Sequence, residues 1–354
     1  MRHAKTWAPS SSLRAILLFD RPGARSQGKA AIMDSEIEYE LPGLIRVHKS
    51  GFVERLQGTE TSPPSPSGDP ATGVASKDVV LGDPASNVSV RLYLPSNAAA
   101  EPGKKLPVVV FYYGGAFVVS TAATVIYHRY AASLAAAVPA VVVSVNYRLA
   151  PETPLPAAYD DVFAGLKAVV AACRPDGAEP WLATYGDASR IVLAGDSAGA
   201  NLAHHTAVRL RKEPIEGYGD EVRGVALLYS YFWGKEPLGG EPADAAVRGR
   251  FERSWEVACD GKFGPDHPYI NPFSAPQEEW RQLGCRRVLV TTGELCWFVE
   301  RSRAYVEAIK ACGWDGELDF YETKGKGHVY FLFNPDCEEA IKDLAVVADF
   351  VRRC

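Results

Sequence analysis

The chain has 354 residues, 47% hydrophobic and 23% charged, with a formal net charge of −5 and a pI near 5.9. That balance leaves no electrostatic footprint for nucleic acid, and no apolar run approaches the roughly 20 residues of a membrane span. Its seven cysteines (Cys173, Cys259, Cys285, Cys296, Cys312, Cys337, Cys354) are dispersed without paired spacing, which suits reduced thiols in a cytoplasmic setting better than a disulfide framework.

Residues 1–32 carry seven Arg, Lys or His residues against one acid, Asp20, with a Ser cluster at Ser10–Ser12. The segment reads as an upstream extension ahead of a start at Met33, with a transit peptide as the second reading. Residues 33–354 read as a single domain. Glu36–Leu56 is a mixed amphipathic stretch, and Thr59–Ser76, rich in Pro, Ser and Gly, reads as a surface loop. Lys77–Leu81 and Val88–Leu94, separated by Gly82-Asp83-Pro84, predict an antiparallel hairpin at a sheet edge.

From there strands and helices alternate. Strands are expected at Val108–Tyr113, Ala140–Tyr147, Ile191–Ala194, Val225–Tyr231, Arg287–Thr291 and Glu317–Tyr321. Helices are expected at Tyr127–Ala137, Ala157–Cys173, after Gly199 toward Lys212, at Val299–Cys312 and from about Cys337. Continuous apolar strands interleaved with helices imply a mostly parallel sheet covered on both faces. Residues 234–282 show little periodicity. An insertion between late strands falls at the C-terminal edge of such a sheet, where ligands bind, so this segment and residues 33–56 are the expected cap.

The stretch with the most chemical content is Ile191-Val192-Leu193-Ala194 followed by Gly195-Asp196-Ser197-Ala198-Gly199 and an Ala/Leu-rich helical run. A strand, G-x-S-x-G and a helix in succession form a nucleophile elbow. The glycines allow the reversal without Cβ clashes, and Ser197 is presented beside the N–H groups of a helix start. In this arrangement the acid and then the histidine follow the serine along the chain. Gly325-Lys326-Gly327-His328 comes after the last predicted strand, so His328 is the expected base. His204 and His205, on the elbow helix, read as packing or solvent-facing residues rather than bases. Oxyanion donors are expected in the loop after Val108–Tyr113, from Gly114, Gly115 and Ala116 together with Ala198.

With these segments in view, residues 33–354 resemble plant carboxylesterases of the hormone-sensitive-lipase branch of the α/β-hydrolases, a branch that also includes gibberellin receptors. The resemblance rests on Tyr147-Arg148-Leu149-Ala150-Pro151-Glu152 with Pro154-Leu155-Pro156-Ala157-Ala158-Tyr159, Gly195–Gly199, Pro268-Tyr269-Ile270-Asn271-Pro272 and Gly327-His328. It implies an α/β-hydrolase fold, a small-molecule ester as substrate, and no cofactor or metal. Three positions depart from the family pattern. Tyr113 stands where the oxyanion segment has His, Cys296 where the triad has Asp, and Tyr229-Ser230 where the family has His-Pro. A thiol with a reference pKa of about 8.5 is mostly neutral at pH 7 and cannot hold an imidazolium as a carboxylate does. Glu294 is the candidate substitute acid, because on an extended segment it shares a side with Cys296. The leading reading is therefore a serine hydrolase of small, fairly apolar esters with an impaired triad. The alternatives are a binding protein that keeps the pocket without turnover, or a lyase in which the Tyr113 phenol contacts substrate.

Overall fold

The computed structural model describes residues 36–82, 88–99 and 103–354. The two readings of residues 1–32 lie outside the described residues. The chain divides into two compact units, one ending at Gln57 and the other running from Gly58 to Cys354. The described part of the first unit is a three-stranded antiparallel meander, β1 (Ile37–Leu41), β2 (Ile45–His48) and β3 (Val53–Arg55). The mixed amphipathic stretch is thus a small sheet, a unit separate from the one that begins at Gly58.

The second unit is built on an eight-stranded sheet: β4 (Ala75–Leu81), β5 (Val88–Leu94), β6 (Leu106–Tyr112), β7 (Val141–Val145), β8 (Gly186–Asp196), β9 (Gly224–Leu228), β10 (Arg287–Gly293) and β11 (Glu317–Thr323). Its spatial order is β11-β10-β9-β8-β6-β7-β5-β4. The β4–β5 hairpin lies at one edge as expected, and β5 also runs antiparallel to β7; the pairings from β7 through β11 are parallel. Every residue of β6, β7 and β9 is buried, and they are mostly aliphatic. This is the signature of strands covered on both faces. The covering helices are α1 (Val125–Ala137), α2 (Ala157–Ala172), α3 (Pro180–Tyr185), α4 (Ala198–Lys212), α5 (Ala245–Cys259), α6 (Gln277–Arg281), α7 (Val299–Cys312), α8 (Tyr330–Phe333) and α9 (Glu338–Arg353).

Two features of this topology position the site. The chain leaves β6 toward β7 on one side and returns to β8 on the other, so β6 and β8 are neighbours at the point where strand order reverses. The loops after both strands therefore open onto one crevice at their C-terminal ends. The register pairs Tyr112 with Gly195 and Asp196 with Leu228, which sets the ends of β6, β8 and β9 level.

The segment 234–282 is not irregular throughout, as its sequence suggested, because it contains the 15-residue helix α5. The Asp244 side chain caps it, accepting from Ala246 and Val247 N–H at 2.9 Å each. Its inward face carries Arg248 and Trp255 rather than a stripe of aliphatics, so hydrophobic periodicity passed over it. The Arg248 and Arg301 guanidinium groups both lie over Trp233, and both pair with the buried Glu241 carboxylate.

Candidate active site

Strand β8 ends at Asp196 and α4 begins at Ala198, so one residue makes the reversal. Ser197 does so at φ 52° and ψ −117°, a backbone state that L-residues adopt only when the surroundings enforce it. Its N–H donates to the Leu228 carbonyl at 2.9 Å, and its own carbonyl accepts from Tyr231 N–H at 3.0 Å. The flanking glycines are required by close approach. A Cβ on Gly195 would overlap the Gly199 carbonyl oxygen, and one on Gly199 would overlap the carbonyl oxygen of Tyr112 in β6.

His328 reaches this serine from the loop after the edge strand β11. Its Nε2 lies 2.9 Å from Ser197 Oγ, and its Nδ1 lies 3.2 Å from Cys296 Sγ. The loops after β10 and β11 are laced together to achieve this. Glu294 N–H donates to the Thr323 carbonyl and Leu295 N–H to the Lys326 carbonyl, at 2.9 Å each. Any side chain on Gly293 would overlap that Lys326 oxygen. Strand β10 ends at Gly293, so the extended geometry expected across 294–296 is not formed and the two side chains part company. Cys296 turns inward and is 4% exposed. Glu294 is exposed and its carboxylate accepts from Gly325 N–H at 2.9 Å. The group within hydrogen-bond distance of His328 Nδ1 is the thiol, not the Glu294 carboxylate.

The electrostatics of the trio are those of neutral groups. Burial pushes the Cys296 thiol up to about 12, only partly opposed by the hydrogen bond from Phe298 N–H. His328 lies edge-on to Phe298, with ring centroids 5.1 Å apart, and desolvation lowers its pKa from 6.5 to about 4. Near pH 7 the imidazole is uncharged and faces an uncharged thiol.

The loop after β6 has left-handed backbone at Gly115 (φ 109°), Ala116 (φ 53°) and Phe117 (φ 66°). The four glycine and alanine positions expected to supply oxyanion donors do not all have a free N–H. The Gly114 N–H donates to Asp196 Oδ1 at 3.0 Å and is thereby committed. Those of Gly115 and Ala116 have no acceptor among the described residues. Ala198 N–H, in the first turn of α4, has no intrahelical partner. Tyr113 is also placed differently from the expectation that it contacts substrate. Its ring is 1% exposed, stacked on Tyr147 at 4.4 Å, and its hydroxyl donates to the Tyr147 carbonyl at 3.4 Å. The lyase reading, which needed a phenol facing substrate, loses its support.

A model of the α/β-hydrolase fold matches residues 109–332, and a carboxylesterase-family model matches residues 56–152. Over 318 residues the chain is 38% identical to a probable carboxylesterase 2 of Arabidopsis thaliana, covering 90% of this chain and 97% of that one. This chain is a plant-type carboxylesterase of the hormone-sensitive-lipase branch of the α/β-hydrolases. It is also 43% identical over 300 residues to the chloroplastic tuliposide A-converting enzyme 1 of Tulipa gesneriana, covering 85% of this chain and 74% of that one. Among solved structures, an esterase of Pyrobaculum calidifontis superposes with a TM-score of 0.62 at 27% identity, covering 78% of this chain and 84% of that one.

In this carboxylesterase the elbow-helix histidines take no part in the trio. His204 is 5% exposed and its Nδ1 lies 3.0 Å from the Tyr305 hydroxyl, while His205 Nε2 donates to the Tyr269 carbonyl at 3.0 Å. Both line a separate cavity of about 480 Å³ with Tyr159, Tyr269 and Trp280. Desolvation keeps both imidazoles neutral by lowering their pKa values. Sequence reasoning passed over Asp196, Tyr127 and Tyr147, whose side chains organise the loop around Gly114. The available signals were the position of Asp196 beside Ser197 and the place of Tyr147 in the Tyr147–Glu152 segment.

Proposed function

We propose that the carboxylesterase cleaves small, apolar carboxylic esters by acyl transfer to Ser197. His328 Nε2 takes the hydroxyl proton as Oγ attacks the ester carbonyl carbon. The N–H groups of Gly115, Ala116 and Ala198 receive the charge that develops on the carbonyl oxygen. Collapse expels the alcohol, which leaves with the proton held on His328, and water then releases the acid by the same steps in reverse order. Cys296 stands in the third position of the triad. Being neutral, it does not stabilise the imidazolium, so turnover is slow relative to a triad with a carboxylate.

The observation that carries this reading is the bridge His328 makes between Ser197 Oγ at 2.9 Å and Cys296 Sγ at 3.2 Å. The strained backbone at Ser197, Ala116 and Phe117 supports it, since strain concentrates where geometry is held for chemistry. The test is labelling with a fluorophosphonate probe alongside hydrolysis of p-nitrophenyl butyrate. Wild type should label and turn over, and Ser197→Ala should do neither while keeping the wild-type melting temperature. Labelling that persists in Ser197→Ala would assign the nucleophile elsewhere. A wild-type chain that neither labels nor hydrolyses would favour the ligand-binding reading.

Among the described residues no helix is long and apolar enough to cross a membrane. The dispersed cysteines are all free and mostly buried, which supports a cytoplasmic placement. Relatives named as chloroplastic or amyloplastic give weight to organellar import directed by residues 1–32. Fusion of that segment to a fluorescent protein separates the two placements.

A further inference from the structure

We propose that Asp196 is a positioning residue for the oxyanion loop, its carboxyl group fixing the peptide between Tyr113 and Gly114 relative to the nucleophile. The proposal rests on the reading of Ser197 as nucleophile and of Gly115 and Ala116 as oxyanion donors.

That peptide is held at both of its polar ends. The Gly114 N–H donates to Asp196 Oδ1 at 3.0 Å, and the Tyr113 carbonyl accepts from the Tyr147 hydroxyl at 2.7 Å. With both ends fixed, the plane of the peptide is fixed, and so is the direction in which the next N–H groups project. The second carboxyl oxygen, Oδ2, accepts from the Tyr127 hydroxyl at 3.1 Å, which prevents the carboxyl from rotating away. Packing confirms how closely the parts fit. A Cβ on Gly114 would lie 2.6 Å from Asp196 Oδ2 and 2.9 Å from the Asp196 carbonyl oxygen.

Asp196 is the residue immediately before Ser197, so one side chain sets the spacing between the attacking oxygen and the groups that receive the oxyanion. It is fully buried, and that burial raises its carboxyl to about 7. A carboxyl kept in such a place opposes stability unless its hydrogen bonds are used. Oxyanion donors act through placement of a few tenths of an ångström, and loss of one donor elsewhere costs about 10²–10³ in kcat. Loosening two donors should cost less than losing one outright.

The experiment compares Asp196→Ala, Asp196→Asn and Tyr127→Phe in the full chain. Each is assayed with p-nitrophenyl butyrate at a pH above the carboxyl's value of about 7. The end-point of fluorophosphonate labelling counts competent Ser197 sites. The expected result for Asp196→Ala is a roughly ten- to hundredfold fall in kcat per labelled site, with KM within about threefold and the end-point unchanged. Asp196→Asn should stay within about threefold of wild type, because its amide oxygen still accepts from Gly114 and its NH₂ can donate to Tyr127. Tyr127→Phe should lower kcat severalfold. An unchanged kcat per labelled site in Asp196→Ala overturns the proposal, as does a loss accounted for by a lower labelling end-point alone. If Asp196→Ala does not fold, Tyr127→Phe decides, and an unchanged kcat there overturns it. Failure of the underlying reading appears instead as labelling that survives Ser197→Ala.

Discussion

A Cys296→Asp variant places an anion beside the imidazole that the native chain leaves facing a neutral thiol. Two effects follow. The first concerns the tautomer. To accept the Ser197 proton at Nε2, His328 must carry its own proton on Nδ1. A carboxylate accepts hydrogen bonds only and enforces that arrangement, whereas the thiol, 3.2 Å from Nδ1, can donate and so permits the unproductive tautomer. The second effect is charge. An imidazolium and a carboxylate with centres ~4 Å apart attract by about 4 kcal/mol at an effective dielectric constant near 20. Burying the carboxylate takes back part of this. The cost is limited because a donor is already in place, Phe298 N–H at 3.5 Å from the sulfur. A net of ~1.4–2.8 kcal/mol corresponds to about ten- to hundredfold in kcat/KM, below the roughly 10⁴ that a triad carboxylate is worth in another hydrolase. The assay is kcat/KM on p-nitrophenyl acetate and butyrate across a pH series. The anion also favours the imidazolium, so the acid limb set by His328, which sits at about 4 in the native chain, should move upward in the variant. No gain at any pH, with the acid limb unmoved, would refute the impaired-triad reasoning. Glu294→Gln is the control. Because Glu294 is exposed and engaged with Gly325 N–H, it should leave kcat/KM within about twofold. A collapse would show that Glu294 reaches His328 during turnover.

The native enzyme should remain active well below pH 6.5, since the neutral imidazole is the working form and the His328 pKa is lowered to about 4. A kcat/KM profile measured in Asp196→Asn, which removes the Asp196 carboxyl that titrates near 7, should fall with an apparent pKa near 4, and a value of 6–7 would contradict it. The same shift makes a stability contribution that is complete above about 6.5 and is lost as the pH falls toward about 4, because the unfolded chain binds the proton more readily. Gly199→Ala should destabilise by about 3 kcal/mol or more in urea unfolding, since its Cβ meets the Tyr112 backbone oxygen, which cannot move without disturbing β6. Glu241→Ala should cost about 3–5 kcal/mol by the same measurement, because it leaves the buried Arg301 guanidinium without its carboxylate and Arg248 with only the exposed Glu252 at 3.8 Å.

The strand and helix alternation was legible because its cause is local. Valine-rich runs such as Val108-Val109-Val110 and Val141-Val142-Val143 favour strands buried on both faces through their β-branched side chains, and the helix expected at Val299–Cys312 is observed at those bounds. The elbow was legible for the same reason, since Gly195 and Gly199 announce a close approach before the approaching group is known. Which groups meet was not legible. Ser197 and His328 stand 131 positions apart, and their 2.9 Å separation depends on the lacing of the β10 and β11 loops. That lacing ends β10 at Gly293 and turns Glu294 outward and Cys296 inward, which simple alternation along an extended segment misses. Helix α5 escaped because it buries an arginine against Trp233 and Glu241, a pattern that periodicity scores as polar. Gly114 reads as an oxyanion donor in the chain, yet its N–H is committed to Asp196, 82 residues away. Sequence therefore determined the elements and the chemical types at the site, because propensity and burial act over a few neighbouring residues. Only tertiary structure decided which donor meets which acceptor, because each hydrogen-bonding group is claimed by whatever the folded chain brings within about 3 Å of it.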